Sequence, residues 1–362
     1  MVEFWRAGGS STPGSAEAAR AVEAEGWDGQ MFMDSQSLSP DPYVLMGGWA
    51  MATERLKLST GVTNPLTRHL AVTAASAAAL QMMSGGRAVL GIGRGDSALA
   101  YLGHAPVRLA AFEQALRDLQ TLLSGGKIAF GARDQTADAP SLDTLSLGDR
   151  PTEFGLKWLP QDLAKTPLDV AATGPKVIEM AAPIAERVTF SVGAIPARIH
   201  WALGLAAAAR TRQGLAAEGP AYGAQIIVIC HPDRDAALEM AAGAVAPLAR
   251  FQVIQGEVAG PISAGDAENF AKLRQGYDMN RHSDKAAAGK IVGASLTRDF
   301  VDRFAIAGPP DHCAERLLEL VRCGLERFVV VGPGFYPEAG GDSRSLFASE
   351  VMPAVRSALG GA

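Results

Sequence analysis

One strand–helix–strand unit, residues 57–99, constrains the fold of this 362-residue chain more than any other stretch. Residues 56–62 form a mostly apolar run that closes at Pro65, which is typical of a buried strand ending in a turn. Residues 72–83 are alanine-rich and unbroken, which predicts a helix. Residues 87–92 predict a second buried strand, which breaks into Gly91, Gly93 and Gly95. Because α/β proteins place their chemistry beyond the carboxyl ends of parallel strands, this glycine-rich end is a candidate site.

The same alternation of strand and helix patterns continues along the chain. Strands are predicted over residues 2–6, 28–34, 56–62, 87–92, 167–172, 187–192, 225–230 and 327–331. Helices are predicted over about 15–25, 42–53, 72–83, 107–123, from 175 onward, and over 197–209 and 343–359. Eight strands with helices between them and no sequence repeat indicate an α/β fold, a (β/α)8 TIM barrel in one domain over residues 1–362. A doubly wound sheet is the alternative, but its Gly-x-Gly-x-x-Gly motif does not follow the first strand.

Two segments are longer than an ordinary connection between barrel elements. They span about residues 127–165 and 251–295, and they contain scattered glycine and charged residues with little periodicity. Loops of this length are typical of functional lids, so we expect both as insertions at the C-terminal mouth of the barrel. A solvated decoration is an equally good interpretation of the first segment.

The overall charge and the cysteine pattern narrow the class of protein. Apolar residues make up 48% of the chain, charged residues 20%, and the formal net charge is −5, so no nucleic-acid partner and no anionic membrane surface are expected. No leader-like segment opens the chain, and its most apolar helix, residues 197–209, is too short to span a bilayer. The three cysteines lack metal-ligand spacing, and no metal site is expected. The cysteines are typical of ordinary thiols in a reducing cytoplasm, so a cytoplasmic protein is predicted.

Several motifs resemble the bacterial-luciferase-like superfamily of flavin- and deazaflavin-dependent oxidoreductases. They are Asp34-Ser35-Gln36-Ser37, Gly61-Val62-Thr63-Asn64-Pro65, Thr67-Arg68-His69, Ser84-Gly85-Gly86-Arg87, Leu90-Gly91-Ile92-Gly93-Arg94-Gly95-Asp96, Thr173-Gly174-Pro175-Lys176, Tyr277-Asp278-Met279 with His282, and Ala307-Gly308-Pro309-Pro310. Within the superfamily they most resemble the coenzyme F420-dependent branch that includes methylenetetrahydromethanopterin reductase. The resemblance covers nearly the whole chain. It implies a TIM barrel, F420 as cofactor with FMN as the alternative, a lid around Tyr277 and a homodimer.

The resemblance also implies a cofactor site and, within it, a non-proline cis peptide bond between Gly61 and Val62. Gly93 and Gly95 would let the backbone approach a ligand closely, because a Cβ there would intrude. The expected cofactor-binding residues are Asp34, Gly61, Val62, Thr63, Asn64, Gly93, Gly95, Thr173, Gly174 and Pro175.

A phosphate group of the cofactor is expected at Thr173 and Gly174. A helix that begins at Pro175 presents unpaired backbone N–H groups at the positive end of its dipole, which suits an anion. From spacing alone, a plain helix cap formed by Thr173 is the better interpretation. The resemblance favours the phosphate.

Asp96 and Asp34 are the candidate catalytic residues. Asp96 follows the glycine run, where sugar-phosphate dehydrogenases of the family have a glutamate regarded as a proton donor, so we expect it to act as acid or base. Asp34 matches an aspartate near the deazaflavin ring, but Ser35 stands where those relatives have histidine. Because serine alone is not a base at neutral pH, sugar-phosphate oxidation is disfavoured. In the competing interpretations, Asp96 caps the next helix and Asp34 bonds a neighbouring loop.

The histidines carry weaker signals. His231, just after the seventh predicted strand, and His282 are candidates for contact with the substrate. His69 is expected to cap the third helix. A lone histidine is more often structural than catalytic, and no two of them have metal-ligand spacing.

The leading hypothesis is an F420-dependent oxidoreductase that transfers a hydride between the deazaflavin and an organic substrate. An FMN-dependent monooxygenase that uses O₂ is an alternative, because both rings would occupy the same cleft. A non-catalytic flavin-binding homologue is a second alternative, and it would bind cofactor without turning over any donor.

Overall fold

The computed structural model describes residues 2–9, 12–131, 139–278, 295–332 and 343–360. Its strands are β1 (Glu3–Arg6), β2 (Gly29–Phe32), β3 (Lys57–Thr60), β4 (Ala88–Ile92), β5 (Lys127–Ala129), β6 (Glu153–Gly155), β7 (Leu168–Ala172), β8 (Arg187–Phe190), β9 (Ala221–Cys230), β10 (Ile306–Gly308) and β11 (Arg327–Val331).

Eight of these strands form a closed parallel barrel in the order β1–β2–β3–β4–β7–β8–β9–β11. The barrel closes where β11 pairs with β1, with Glu3 opposite Arg327. This confirms the predicted (β/α)8 barrel. The barrel strands lie at or close to the predicted positions because their nearly continuous apolar runs, buried on both faces, are typical of parallel strands.

The helices surround this barrel. They are α1 (Ala16–Ala24), α2 (Pro42–Ala52), α3 (Leu70–Met83), α4 (Ser97–Ala100), α5 (Leu109–Leu123), α6 (Pro175–Ala181), α7 (Pro196–Arg212), α8 (Arg234–Ala249), α9 (Ala264–Gly276), α10 (Arg298–Phe304), α11 (Pro310–Arg322), α12 (Ser343–Leu346) and α13 (Met352–Gly360). Proline stands at the first position of α2, α6, α7 and α11, where its missing N–H costs nothing. No described helix combines the length and hydrophobicity needed to cross a membrane.

The apolar core joins the outer face of the barrel to the helices. Strand residues such as Phe4, Leu90 and Val170 belong to one buried cluster with helix residues such as Leu116 and Ile178, all at most 1% exposed. Parallel strands need this cover because both faces of their sheet are apolar. The packed helices therefore hold the strand ends in place and leave the mouth to the loops.

The two predicted insertions contain more regular structure than their sequence pattern indicates. The first holds an antiparallel hairpin, β5 with β6, and residues 132–138 lie outside the described part. The second holds α9. A further short strand, β10, pairs with β9 outside the closed barrel, with Ile306 opposite Val228. Three-residue strands such as these carry too few residues for a periodic signal.

Charged side chains fill the amino-terminal end of the barrel interior. Glu3 accepts hydrogen bonds from Lys57 and from Arg187, the latter at 2.6 Å. The Nη2 of Arg327 lies 2.9 Å from an Asp169 oxygen, and these two residues are 1% and 2% exposed. We call these five residues the floor cluster. It closes the barrel beneath the mouth with ion pairs between strands.

Candidate active site

A cavity of about 610 Å³ opens at the carboxyl ends of the barrel strands, where TIM barrels carry their active sites. Its wall comes from residues that follow β2, β3, β4, β7 and β8, together with α8 and the segment after it. Most of the predicted site residues line it: Asp34, Gly61, Val62, Asn64, Gly93, Gly95, Asp96, Thr173, Gly174 and Pro175. Chain topology therefore brings together motifs that lie more than a hundred residues apart.

One part of the wall is backbone that follows β3 and β4. The peptide bond between Gly61 and Val62 is cis, which confirms the expectation from the resemblance. A Cβ built on Gly93 would lie 3.0 Å from the Cγ2 of Val62, so the two stretches pack against each other with room only for glycine. The result is a smooth surface that offers backbone, rather than polar side chains, to a ligand.

The expected contact of Thr63 with the cofactor is not found. Its side chain is fully buried and does not line the cavity. Its backbone N–H donates to the Gly91 oxygen at 2.9 Å, and its own oxygen accepts from the Gly93 N–H at 2.9 Å. Thr63 therefore holds Gly93 in position, one layer behind the surface that a ligand would meet.

Asn64 shapes the turn after β3. Its Oδ1 accepts hydrogen bonds from the backbone N–H groups of Leu66 and Thr67, both at 3.0 Å. Gly95 faces it across the wall with a φ of +88°, a conformation that other residues rarely adopt. These two residues give the wall its shape.

The start of α6 borders the cavity. Gly174 is the N-cap residue, and no side chain caps this helix, so the expected role of Thr173 as the cap is not found. A Cβ on Gly174 would meet no protein atom within 4 Å. The first N–H groups of α6 therefore have no side-chain acceptor.

Two cations lie on the cavity wall, Lys176 and Arg94. Neither forms an ion pair with a carboxylate of the described residues. The Nε of Arg94 donates to the Val107 oxygen at 2.7 Å, and burial lowers the pKa of Arg94. Because Asp34, Asp96 and Asp169 on the wall are each paired with an arginine, these two cations stand against one further carboxylate of the wall, Glu257, which leaves a small excess of positive charge.

Asp34 lies two residues beyond the end of β2 and is only 5% exposed. Arg68 donates to its Oδ2 at 2.5 Å and to an oxygen of Asp41 at 2.6 Å. The same guanidinium lies 5.4 Å from the centre of the Tyr43 ring, and burial raises the pKa of that tyrosine. The alternative interpretation of Asp34, a bond to a neighbouring loop, therefore holds alongside its place on the cavity wall.

Asp96 stands at the N-cap position of α4, but its side chain makes no capping hydrogen bond. Instead the Arg250 guanidinium donates to both carboxylate oxygens, with Nη1 at 3.0 Å from Oδ1. Burial acts to lower the pKa of Arg250, yet the bonds and charge of Asp96 outweigh it and raise that pKa. The helix-cap interpretation of Asp96 is wrong, and its ion pair was not predicted.

The candidate histidine within the described residues, His231, does not line the cavity. His231 lies in the turn between β9 and α8, where its Nδ1 accepts from the backbone N–H of Asp233 at 3.0 Å, and it does not line the wall. His282 lies outside the described residues. His69 caps α3 as predicted, because its side chain accepts from the Ala71 N–H.

Polar residues that were not singled out from the sequence also line the wall. The Ser191 hydroxyl lies 3.1 Å from the Gln225 Oε1. Gln252 donates to the Ser191 backbone oxygen and accepts from Arg198 at 2.7 Å. Arg198 is fully buried, and burial lowers its pKa to about 10. The sequence does contain a signal for these lining residues, namely a polar side chain within or directly after an apolar strand, as at Gln225.

Comparison with known proteins identifies the family. A model of the luciferase-like monooxygenase family matches residues 5–327. The chain belongs to this family. Its relatives are named as reductases, dehydrogenases and monooxygenases, and the chain is an enzyme of the oxidoreductase class.

Two relatives and one solved structure illustrate the likeness. A 5,10-methylenetetrahydromethanopterin reductase from Methanolobus tindarius is 28% identical over 331 residues, which cover 88% of this chain and 90% of the relative. An F420-dependent glucose-6-phosphate dehydrogenase from Microbacterium testaceum is 26% identical over 340 residues, 90% of this chain and 86% of the relative. The structure of the coenzyme F420-dependent tetrahydromethanopterin reductase from Methanopyrus kandleri aligns with a TM-score of 0.73 at 21% identity, covering 97% and 99% of the two chains.

These likenesses confirm the resemblance and the barrel inferred from the motifs. Among the described residues, no group of three or more His, Cys, Asp or Glu side chains could hold a metal ion. The candidate active site of this luciferase-like chain is a cavity whose wall carries Lys176, Arg94, Glu257 and the arginine-paired carboxylates of Asp34, Asp96 and Asp169.

Proposed function

We propose that this luciferase-like enzyme is an F420-dependent oxidoreductase that transfers a hydride between the deazaflavin and a small organic substrate. The observation that carries the proposal is the cavity wall formed by Gly61, Val62 and Gly93, a backbone surface suited to the face of a flat ring. Several relatives are named F420-dependent, which supports F420 over FMN.

The residues that line the cavity suit a cofactor made of a flat ring and a side chain that carries a phosphate group. Gly174 borders open space that a Cβ would enter. The N–H groups that begin α6 have no side-chain acceptor, which suits an anion such as a phosphate. Lys176 and Arg94 add positive charge to the same cavity. Thr173, Gly174 and Pro175 would therefore hold the phosphate, while Gly93 and Gly95, which line the cavity, would present their backbone to the ring.

When bound, F420 would supply hydride chemistry, which is a property of its ring. The residues of this chain would bind and orient the ring, exclude water, and accept or return one proton. We assign this acid–base role to Asp96, whose carboxylate would accept the proton of an O–H or N–H group, because it lines the cavity after the glycine run, and we assign contact near the ring to Asp34. Ser35 supplies no base beside Asp34, which disfavours sugar-phosphate oxidation. His282 stays a proposed substrate contact, whereas His231 faces its own turn.

Parallel titration of the purified protein with F420 and with FMN, followed by tryptophan fluorescence, tests the cofactor. We expect F420 to bind at least about tenfold more tightly than FMN, a difference of roughly 1.4 kcal/mol. Tighter binding of FMN would favour the O₂-dependent monooxygenase. Cofactor binding without turnover of any alcohol donor with oxidised F420, or of any carbonyl or imine acceptor with reduced F420, would favour the non-catalytic homologue.

We also propose that the enzyme is a cytoplasmic homodimer that pairs through α2 and α3. These helices pack together and expose large apolar side chains, with Val44 75%, Met51 74% and Val72 52% exposed. Such a contiguous apolar face is typical of a protein interface. Light scattering should give twice the mass of the 37.7 kDa chain, and Met51→Lys should shift it to the monomer. A monomeric wild-type chain would contradict the proposal.

A further inference from the structure

Arg250 lies where α8 ends, and it is only 4% exposed. Its guanidinium donates to both oxygens of Asp96. The same group lies 4.6 Å from the ring centre of Phe251 and 5.0 Å from that of Tyr277. Both rings belong to the segment that follows α8, so one buried cation joins residues 250–278 to the end of β4.

The partner of Arg250 belongs to the candidate site. Asp96 lines the cavity, and among the described residues Arg250 is the group that hydrogen-bonds to its carboxylate. A guanidinium that donates to both oxygens fixes the plane of the carboxylate. Each oxygen keeps a lone pair for one further hydrogen bond.

We propose that Arg250 is a positioning residue for the reaction: it holds Asp96 as an oriented carboxylate, so that Asp96 meets a ligand as a hydrogen-bond acceptor. A hydrogen-bond acceptor on the cavity wall recognises a ligand group that carries O–H or N–H, so we expect a ligand with such a group. This inference rests on the proposed function for the role of Asp96, but the pairing itself does not depend on the identity of the cofactor.

The pair also fixes part of the cavity wall. Phe251, Gln252 and Ile254 line the cavity and directly follow Arg250 in the chain. A second buried arginine, Arg198, anchors the same stretch independently by donating to the Gln252 side chain and to the Pro261 oxygen at 3.2 Å. Loss of the Arg250 pair should therefore loosen this wall locally while the barrel stays folded.

Thermolysin cleavage within residues 250–278 of the full chain tests the pair. We expect Arg250→Ala to raise the cleavage rate at least about tenfold, because a buried ion pair is lost. Millimolar methylguanidinium should restore protection by refilling the site beside Asp96. Asp96→Asn should raise the rate similarly, and methylguanidinium should not rescue it or the double variant. Arg250→Lys keeps the charge without the forked geometry, so its cleavage rate should lie between those of the wild-type protein and Arg250→Ala.

Arg234→Ala is the matched control. Arg234 also donates to both oxygens of one carboxylate, that of Asp302, each at 2.9 Å, but it does not line the cavity. Its loss should leave cleavage within residues 250–278 unchanged. If Arg250→Ala does not fold, Arg250→Lys and Asp96→Asn carry the same comparison.

F420 titration supplies the readout that links the pair to the site. We expect Arg250→Ala to weaken F420 binding about tenfold, with recovery in methylguanidinium only when Asp96 is present. Unchanged cleavage in the Arg250 variants, or equal rescue of the Asp96→Asn/Arg250→Ala double variant, would overturn the inference. Failure of wild-type protein to bind F420 would instead contradict the proposed function, and the cleavage data would still decide the role of Arg250.

Discussion

The two ends of the barrel use the same pairing of arginine with carboxylate in different ways. In the floor cluster, both partners of the Arg327–Asp169 pair stand on barrel strands and are almost fully buried. At the mouth, Asp96 and Asp34 follow strands, while their partners Arg250 and Arg68 come from loops or helix ends. The floor cluster joins strand to strand, whereas the pairs at the mouth join a strand end to a loop or a helix end.

The difference explains why only one end carries a site. A charge pair between strands fills the interior: although Asp169 borders the cavity, its side chain is 3% exposed and is already bonded to Arg327 and to Thr189. A pair between a strand end and a loop leaves one side of the carboxylate facing the cavity. We therefore expect substitutions in the floor to change the free energy of unfolding and substitutions at the mouth to change binding.

The largest effect is expected in the floor. Arg327→Met removes the nearer arginine of the buried Asp169 carboxylate and leaves that carboxylate with Thr189 at 2.8 Å and Arg187 at 3.9 Å. We therefore expect a loss near the lower end of the range of about 3–5 kcal/mol that breaking a buried pair costs. Chemical denaturation should show that loss, with F420 affinity measured on the folded fraction unchanged. The double variant Arg327→Met/Asp169→Leu should regain much of the stability. A loss below about 1 kcal/mol in the single variant would remove the distinction between the two ends.

At the mouth, Gly174→Leu should abolish cofactor binding without unfolding the protein. The new side chain would meet no protein atom within 4 Å at its Cβ, so it would enter the space expected for the phosphate. F420 affinity should fall at least about 100-fold, or roughly 2.7 kcal/mol. The matched control is Gly204→Leu on α7, which also meets no atom within 4 Å and lies outside the cavity. Equal F420 affinity in both variants would place the phosphate elsewhere.

The next largest effect is expected in the floor cluster, as a loss of stability at low pH. Burial would raise the pKa of Glu3, but Arg187 and Lys57 outweigh it and lower that pKa from 4.5 to about 2. Because the folded-state pKa lies below the unfolded value, the stabilisation is present above pH 4.5 and is lost as pH falls towards 2. Glu3→Gln should remove about 2 kcal/mol of this acid dependence in unfolding experiments between pH 5 and 2. If the free energy of unfolding of Glu3→Gln depends on pH as steeply as that of the wild-type protein, the prediction is wrong.

The smallest effect is expected outside both regions. Arg117 pairs with Glu113 at 2.8 Å on the exposed face of α5, one helical turn away, with side chains 50% and 43% exposed. Arg117→Gln should change the free energy of unfolding by less than about 0.5 kcal/mol and leave F420 affinity unchanged. A larger loss of stability would show that an exposed ion pair can stabilise this fold as much as a buried one.

Much of the framework could be predicted from local sequence. The β4 and β7 strands, the helix starting at Pro175 and the cap His69 depend on residues close together in the chain, so pattern and propensity located them. The cis bond after Gly61 came from family resemblance rather than from any local rule. The hairpin of β5 with β6 was missed, because its strands are three residues long and lie mostly at the surface.

The sequence by itself determined which residues stand at the strand ends, since each strand and the glycine or polar run after it form one local pattern. Only the tertiary structure decided what those residues face. Thr63 points into the interior because its backbone pairs with Gly91 and Gly93. Asp96 meets Arg250, 154 residues further along the chain, because closing the barrel brings the end of α8 beside the end of β4. Local propensity acts over a few residues, whereas these contacts depend on the closure of the barrel and on the packing of helices around it.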